Sequence, residues 1–344
     1  MEDVLTRGKL GRGATEILAV STDQASSEQE ARKGFTTYLL FLTHFSNILR
    51  RKGETYSTII RKLFREQEQY LRTVELLVLD DQKSKRLRKM LFNAWNSGMV
   101  ARLNSSLDRE LLTVTNQWKP TQAYYALYFL LTPLRMVKAQ GGFDRGVGTH
   151  ESTLTFATNN LCSSLPMPWR CTYEVELREW QRFPSPPTSR AKSGWNLTRQ
   201  GDSYDNFAHF LRTTGDHKRE EKWLKIKSRK PKSGEKRQKK NNINLGYVSF
   251  WDAIWRFRRW ANYLEAQALL EGQDALGAAE FDKNMNVVLM CSMAVLERVL
   301  SAHLGNEFIR RAYDDYLAAI GDNVSKGKLT KYLTVRRDLV CARF

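Results

Sequence analysis

Between Tyr38 and Leu49 the apolar residues Tyr38, Leu39, Phe41, Leu42, Phe45 and Leu49 recur at three- and four-residue steps, which is one face of an α-helix. A second helix is predicted over Tyr56–Leu79, with Ile59, Ile60, Leu63, Tyr70, Leu71, Val74 and Leu77 inside and Arg61, Lys62, Arg65, Glu66 and Glu68 outside. Residues up to about Glu30 are polar and small and read as loose at their start, with helical patterning from Gln29. Asp80-Asp81 marks a turn or a cap for a third helix, Lys83–Leu112, which Asn96-Ser97-Gly98 is expected to break. Trp118-Lys119-Pro120-Thr121 reads as a helix start with Thr121 as the cap. The helix that follows, Gln122–Gln140, is apolar on most sides, as a buried helix is; Pro133 is expected to kink it and Gly141-Gly142 to end it. Thr149 caps a further helix, His150–Leu161.

The pattern then changes. Five prolines lie between Leu165 and Arg190, and the alternation from Trp169 to Leu177 fits a short strand. Helical patterning returns over Tyr247–Glu271, Asn284–His303 (stopped by Gly305) and Phe308–Ile320 (stopped by Gly321), with a last short helix in Lys328–Phe344. The predicted fold class is mainly α, an antiparallel helical bundle with an N-terminal helical region and a basic, partly irregular insertion. Its expected segments are 1–84, 85–162, 163–244 and 245–344. The longest apolar runs, Tyr124–Leu134 and Met285–Leu296, fall short of the ~20 residues a membrane-spanning helix needs, so both read as core. No secretory leader is read in the first residues.

Composition sharpens this picture. A hydrophobic share of 42%, with 9 Trp and 16 Phe, is enough for a full core, which excludes disorder along the whole chain. The formal net charge of +18 points to a polyanionic partner: nucleic acid, an anionic membrane surface or an acidic protein. Lys218–Lys240 holds 12 Lys/Arg against 3 Glu, a net of +9, half of the whole excess. The tract reads as a solvated loop able to hold phosphates, and it lacks the sustained apolar face a membrane surface would need. The four cysteines, Cys162, Cys171, Cys291 and Cys341, have no CxxC spacing and read as small buried hydrophobes in a reducing compartment. There is no Walker loop, GxGxxG, HExxH or GxSxG, and neither a metal nor a cofactor is expected.

Three pieces, taken in order, resemble the HEPN superfamily of helical domains. Ala123-Tyr124-Tyr125-Ala126-Leu127-Tyr128-Phe129-Leu130-Leu131, running on to Arg135 and Lys138, resembles its long central helix. Thr149-His150-Glu151-Ser152, followed by Leu154 and Phe156, resembles the opening of its next helix. Trp255-Arg256-Phe257-Arg258, then Ala261-Asn262-Tyr263, resembles a later helix. The resemblance covers roughly residues 85–161 and 245–320. It departs from the family pattern in the intervening Ser163–Asn244 and in Thr153, where the family motif has Gly. It implies a small antiparallel bundle, often dimeric, at work in prokaryotic defence or toxin–antitoxin systems. Active members are metal-independent ribonucleases carrying Arg, four to six residues, then His, met across a dimer interface.

Such chemistry needs a His as acid or base and an Arg for the developing phosphorane charge. Arg145…His150, Arg212…His217 and Arg298…His303 all have the spacing, which is cheap in an Arg-rich chain. Arg145 and His150, inside the resembling region, are the catalytic candidates. Arg336-Arg337-Asp338-Leu339-Val340-Cys341 looks like the same string with Cys in the His position, where Cys cannot serve as a near-neutral acid–base group. The nucleic-acid-binding candidates are Lys218, Arg219, Lys222, Lys225, Lys227, Arg229, Lys230, Arg237, Arg256 and Arg258, the last two beside Trp255 and Trp260. The expectation is a cytoplasmic protein whose partner is RNA or single-stranded DNA, acting as a homodimer or in a larger complex. The rivals to a ribonuclease are a non-catalytic nucleic-acid-binding subunit and a purely structural docking module.

Overall fold

The computed structural model describes residues 10–51, 53–103, 109–138, 143, 148–184, 202–228, 243–261, 269, 274–320 and 328–342, with side chains for all but 10–28, 30, 109, 110, 275 and 328–330. The chain is mainly helical. In order it forms α1 Leu10–Leu49, α2 Tyr56–Leu71, α3 Asp81–Leu103, α4 Arg109–Thr115, α5 Lys119–Lys138, α6 His150–Phe156, β1 Thr172–Glu174, β2 Glu179–Gln181, α7 Ser203–Ser228, β3 Tyr247–Ser249, α8 Phe250–Arg259, α9 Ala275–Leu304, α10 Asn306–Ala319 and α11 Lys328–Val340.

Local signals account for several of the helix ends. Asp80 Oδ1 accepts from the Lys83 amide at 2.7 Å at the head of α3, and Thr149 Oγ1 accepts from Ser152 N at 3.2 Å at the head of α6. Ser249 and Asp252 form a reciprocal capping box on α8. Gly305, at φ 84°, ends α9 in a conformation that side chains disfavour.

Several expectations need correction. α1 begins at Leu10 rather than near Gln29. α2 stops at Leu71, and Val74–Leu79 has no regular secondary structure. α3 runs through Asn96-Ser97-Gly98 unbroken; a Cβ on Gly98 would lie 2.9 Å from the Met293 sulfur, so this glycine permits close packing rather than a break. α5 starts at Lys119, which puts Pro120 in the first turn, where its missing N–H costs nothing, and Thr121 inside the helix. Tyr247–Ser249 is a strand, not the start of a helix, because it pairs with β1. The helix expected over Asn284–His303 is part of the 30-residue α9, which begins earlier, at Ala275. Its stretch Leu276–Leu304, whose most apolar window has a mean hydropathy of 1.6, is long and apolar enough to cross a membrane, yet most of that window is buried inside the protein. Asp282, Asn284, Glu297 and Arg298 shorten the apolar run in the sequence, but all four are buried within the fold.

α9 is the axis of the molecule. α1, α2, α4, α5, α10 and α11 pack around it, and α3 pairs with α5. Two of its buried carboxylates are paired internally. Glu297, wholly buried, accepts from Trp95 Nε1 at 2.9 Å and Tyr313 Oη at 2.7 Å and pairs with Arg336 at 2.9 Å. Asp282 pairs with the buried Lys119. A second part of the core is aromatic. Phe41 of α1 stacks on Phe210 of α7 at 4.1 Å, and Phe45 on Phe250 of α8 at 4.5 Å.

The small antiparallel sheet has the order β2-β1-β3, with Tyr173 opposite both Trp180 and Val248. It ties Thr172–Gln181 to the chain entering α8. The basic tract is not loop throughout: Lys218–Ser228 is the end of α7, whose buried Phe207, Ala208, Phe210 and Leu211 fix it against α1 and α8. The rest of the tract, 229–240, lies outside the described residues.

Candidate functional site

α5, α6 and α8 meet around His150, bringing one part of each of the three resembling pieces together. Thr149 caps α6, so His150 is its first residue and its ring turns toward α5 and α8. The Tyr124 hydroxyl lies 2.7 Å from His150 Nδ1. Tyr128 faces the imidazole at 4.3 Å between ring centres and Trp255 stacks on it at 5.4 Å. Nε2 has no hydrogen-bond partner among the described residues, and the side chain is partly exposed. Burial, followed by the positive charge of Arg258, pulls the His150 pKa below its usual value, so the ring is neutral at pH 7. Burial raises the Tyr124 pKa, which keeps its hydroxyl protonated and able to donate or accept. With Nδ1–H directed to the Tyr124 oxygen, Nε2 presents a lone pair, the form required of a general base.

Two arginines frame this histidine. Arg258 is buried, donates to Tyr125 Oη at 3.0 Å and lies 4.8 Å from the Trp255 ring centre. Its charge acts on His150 from within the fold and is not presented to solvent. Arg135, in the last turn of α5, donates to Ser152 Oγ at 3.0 Å. Gly148 holds φ +69°, a left-handed backbone that favours glycine, and the Arg135 guanidinium lies against it, in space a side chain would occupy. Arg135 belongs to the first resembling piece but was not singled out from the sequence. Its approach to Ser152 is a contact between helices that spacing along the chain does not reveal. Arg145, the proposed partner of His150, lies outside the described residues, as do Asn262 and Tyr263.

The other Arg–His spacings are differently engaged. Arg298 donates to the Val340 and Ala342 carbonyls at 2.6 and 3.2 Å, closing the end of α11. Burial, with Lys138 nearby, lowers the pKa of His303 to about 4. Arg212 lies 3.3 Å from His209 Nδ1, and His217 lies 3.0 Å from Glu221. In the C-terminal string Arg336 is the buried partner of Glu297, and burial pushes the Cys341 thiol up to about 11. All four cysteines are buried free thiols.

The basic candidates divide into two groups. Lys218 pairs with Asp252 at 2.6 Å, Arg219 donates to the Val175 carbonyl at 3.0 Å, and Arg256 donates to Thr213 and Thr214 at 3.0 and 3.2 Å. These fasten α7 to the sheet and to α8. Lys222, Lys225 and Lys227 lie on the exposed side of α7, with Lys222 also reaching the Asn244 carbonyl at 2.8 Å. Arg229, Lys230 and Arg237 are outside the described residues. Among the described residues no group of three His, Cys, Asp or Glu side chains is placed to hold a metal ion. Neither a protein family, nor a curated protein, nor a solved structure matches this chain.

Proposed function

We propose that the chain is an RNA-binding protein on a HEPN-like bundle, acting as a metal-independent endoribonuclease of a prokaryotic defence or toxin system with His150 as its acid–base group. The observation that carries this reading is the convergence of α5, α6 and α8 on a neutral, partly exposed imidazole whose Nε2 is free among the described residues. In the proposed reaction Nε2 takes the proton of an RNA 2′-hydroxyl as that oxygen attacks the adjacent phosphorus. The imidazolium, with Nδ1–H on Tyr124, then serves as the acid for the leaving 5′-oxygen or returns its proton to water. Arg145 is the group proposed to meet the phosphorane charge, and Arg135 positions the chain on either side of His150. The exposed Lys222, Lys225 and Lys227, continued by Arg229, Lys230 and Arg237, recruit RNA or single-stranded DNA. The family likeness favours a cytoplasmic homodimer, or membership of a larger complex.

A second reading, a non-catalytic nucleic-acid-binding subunit, is favoured by the internal engagement of Arg256 and Arg258, which leaves α7 as the basic surface. Incubating cellular RNA with the protein in EDTA separates the two. The first reading predicts cleavage by wild type and none by His150→Asn, with RNA affinity equal in both. Retention of RNA without cleavage by either would favour the second.

A further inference from the structure

At the C-terminal end of α6 is a cavity of about 340 Å³, within the size range of small-ligand sites. Its walls come from four parts of the chain: the π-helical turn Ala157–Leu161 that continues α6, the sheet, α7 and the first turn of α8. Single π turns inside helices recur at functional sites, because they widen the groove and redirect side chains.

The lining is rich in hydrogen-bond donors. Lys218 Nζ has three N–H groups and gives one to Asp252, at 2.6 Å. Asp252 is itself saturated: it also accepts from Thr158 Oγ1 at 3.0 Å and from Ser249 N at 3.0 Å. Its carboxylate is therefore spent on the wall, and two Lys218 hydrogens remain. Arg182, at the exposed mouth, has no ion-pair partner among the described residues. It holds a left-handed backbone, φ 62°, which a residue with a side chain disfavours. Thr172 on β1 lines the cavity, and its hydroxyl has no hydrogen-bond partner among the described residues and remains accessible there. A threonine hydroxyl left unpaired in this way can still donate one hydrogen bond to a ligand oxygen. The nearby Glu176 carboxylate is turned to the Leu245 and Gly246 amides, at 2.5 and 3.1 Å, and holds that edge of the wall.

Two cationic groups and an unpaired hydroxyl lining one space, with the adjoining carboxylates already engaged, suit a ligand made of acceptor oxygens. We propose that this cavity binds a phosphate monoester, with Arg182 and Lys218 as its cations and Thr172 donating to a phosphate oxygen. The monoester is either a free phosphorylated metabolite or the 5′-phosphate end of a nucleic-acid strand; the contacts are the same.

Calorimetric titration tests this on the full chain, using ribose 5-phosphate and one RNA oligonucleotide prepared with and without a 5′-phosphate. The variants are Arg182→Gln, an exposed position, and Thr172→Val, which keeps shape and strand preference while removing the hydroxyl. If ribose 5-phosphate binds and each variant weakens it on the order of tenfold, the site takes a free monoester. If instead the phosphorylated oligonucleotide binds more tightly than the unphosphorylated one, and each variant removes that difference, the ligand is a strand end. If neither phosphate probe gains over its unphosphorylated counterpart (ribose for the sugar), or both variants bind as wild type does, the proposal is wrong. Binding alone is read, so the result is independent of whether His150 cleaves RNA.

Discussion

The hydroxyl of Tyr124 sits 2.7 Å from Nδ1 of His150. This one contact decides which imidazole nitrogen is left for chemistry. Tyr124 is fixed on the buried helix α5 and His150 on the capped first turn of α6, so the pair is positioned by the two helices and not by a loose side chain. Tyr124→Phe keeps the ring and removes the hydrogen bond. RNA cleavage should fall on the order of tenfold, or about 1.4 kcal/mol, with RNA affinity unchanged. The pH profile adds a second readout. Because the His150 pKa is lowered, the base form persists below the ordinary histidine value of ~6.5, and the acid limb of kcat/KM should lie below that pH. Arg258→Gln removes the neighbouring charge and should move the limb upward. Initial rates across the acid range, with circular dichroism to verify folding, check both.

Stability should fall on mild acidification. Burial, followed by nearby cations, lowers the pKa values of His209 and His303 to about 4 each. Between that value and ~6.5 the unfolded chain binds these protons and the folded chain does not, so stability present above ~6.5 is lost as pH drops toward 4. Melting temperature recorded between neutral pH and pH ~4.5 should decline, and His209→Asn/His303→Asn should decline less steeply. A variant profile as steep as wild type would contradict this assignment.

The Glu297–Arg336 pair should behave as a buried ion pair. Arg336→Met leaves a wholly buried carboxylate with Trp95 and Tyr313 as its remaining donors among the described residues and should cost about 3–5 kcal/mol in urea unfolding. Adding Glu297→Gln to it removes the stranded charge and should recover part of the loss. A double variant less stable than Arg336→Met would show that the charge is not the source of the cost.

The exposed face of α7 should carry RNA affinity through counterion release. Lys225→Ala and Lys227→Ala together should reduce the slope of log affinity against log salt by about 0.7 per lysine for a single strand. Lys218→Ala is expected to act differently, by destabilising the contact of α7 with Asp252. Fluorescence anisotropy over a salt series distinguishes the two effects.

The parts of this fold legible in the sequence are those specified by neighbours along the chain. Thr149 as a cap, Gly305 as a stop and the apolar body of α5 all act within a turn or two of themselves. α7 was hidden because its last turns are so basic that they read as loop, while the residues that anchor it, Phe207, Phe210 and Leu211, precede the charge. β3 was mistaken for the start of a helix because three residues carry too little periodicity, and its partner β1 lies far back in the chain. At the candidate site His150 could be chosen from its local motif. The phenol and indole around it, the Arg135–Ser152 contact and the cavity at the end of α6 depend on packing between helices, on which spacing is silent.

The measurement closest to the central claim is product analysis of one RNA oligonucleotide after incubation with the protein in EDTA, beside the same sequence carrying 2′-deoxy sugars and beside the His150→Asn variant. The account predicts 2′,3′-cyclic phosphate ends from wild type on RNA, none from the 2′-deoxy strand and none from the variant. Cleavage of the 2′-deoxy strand, or undiminished cleavage by His150→Asn, would contradict it.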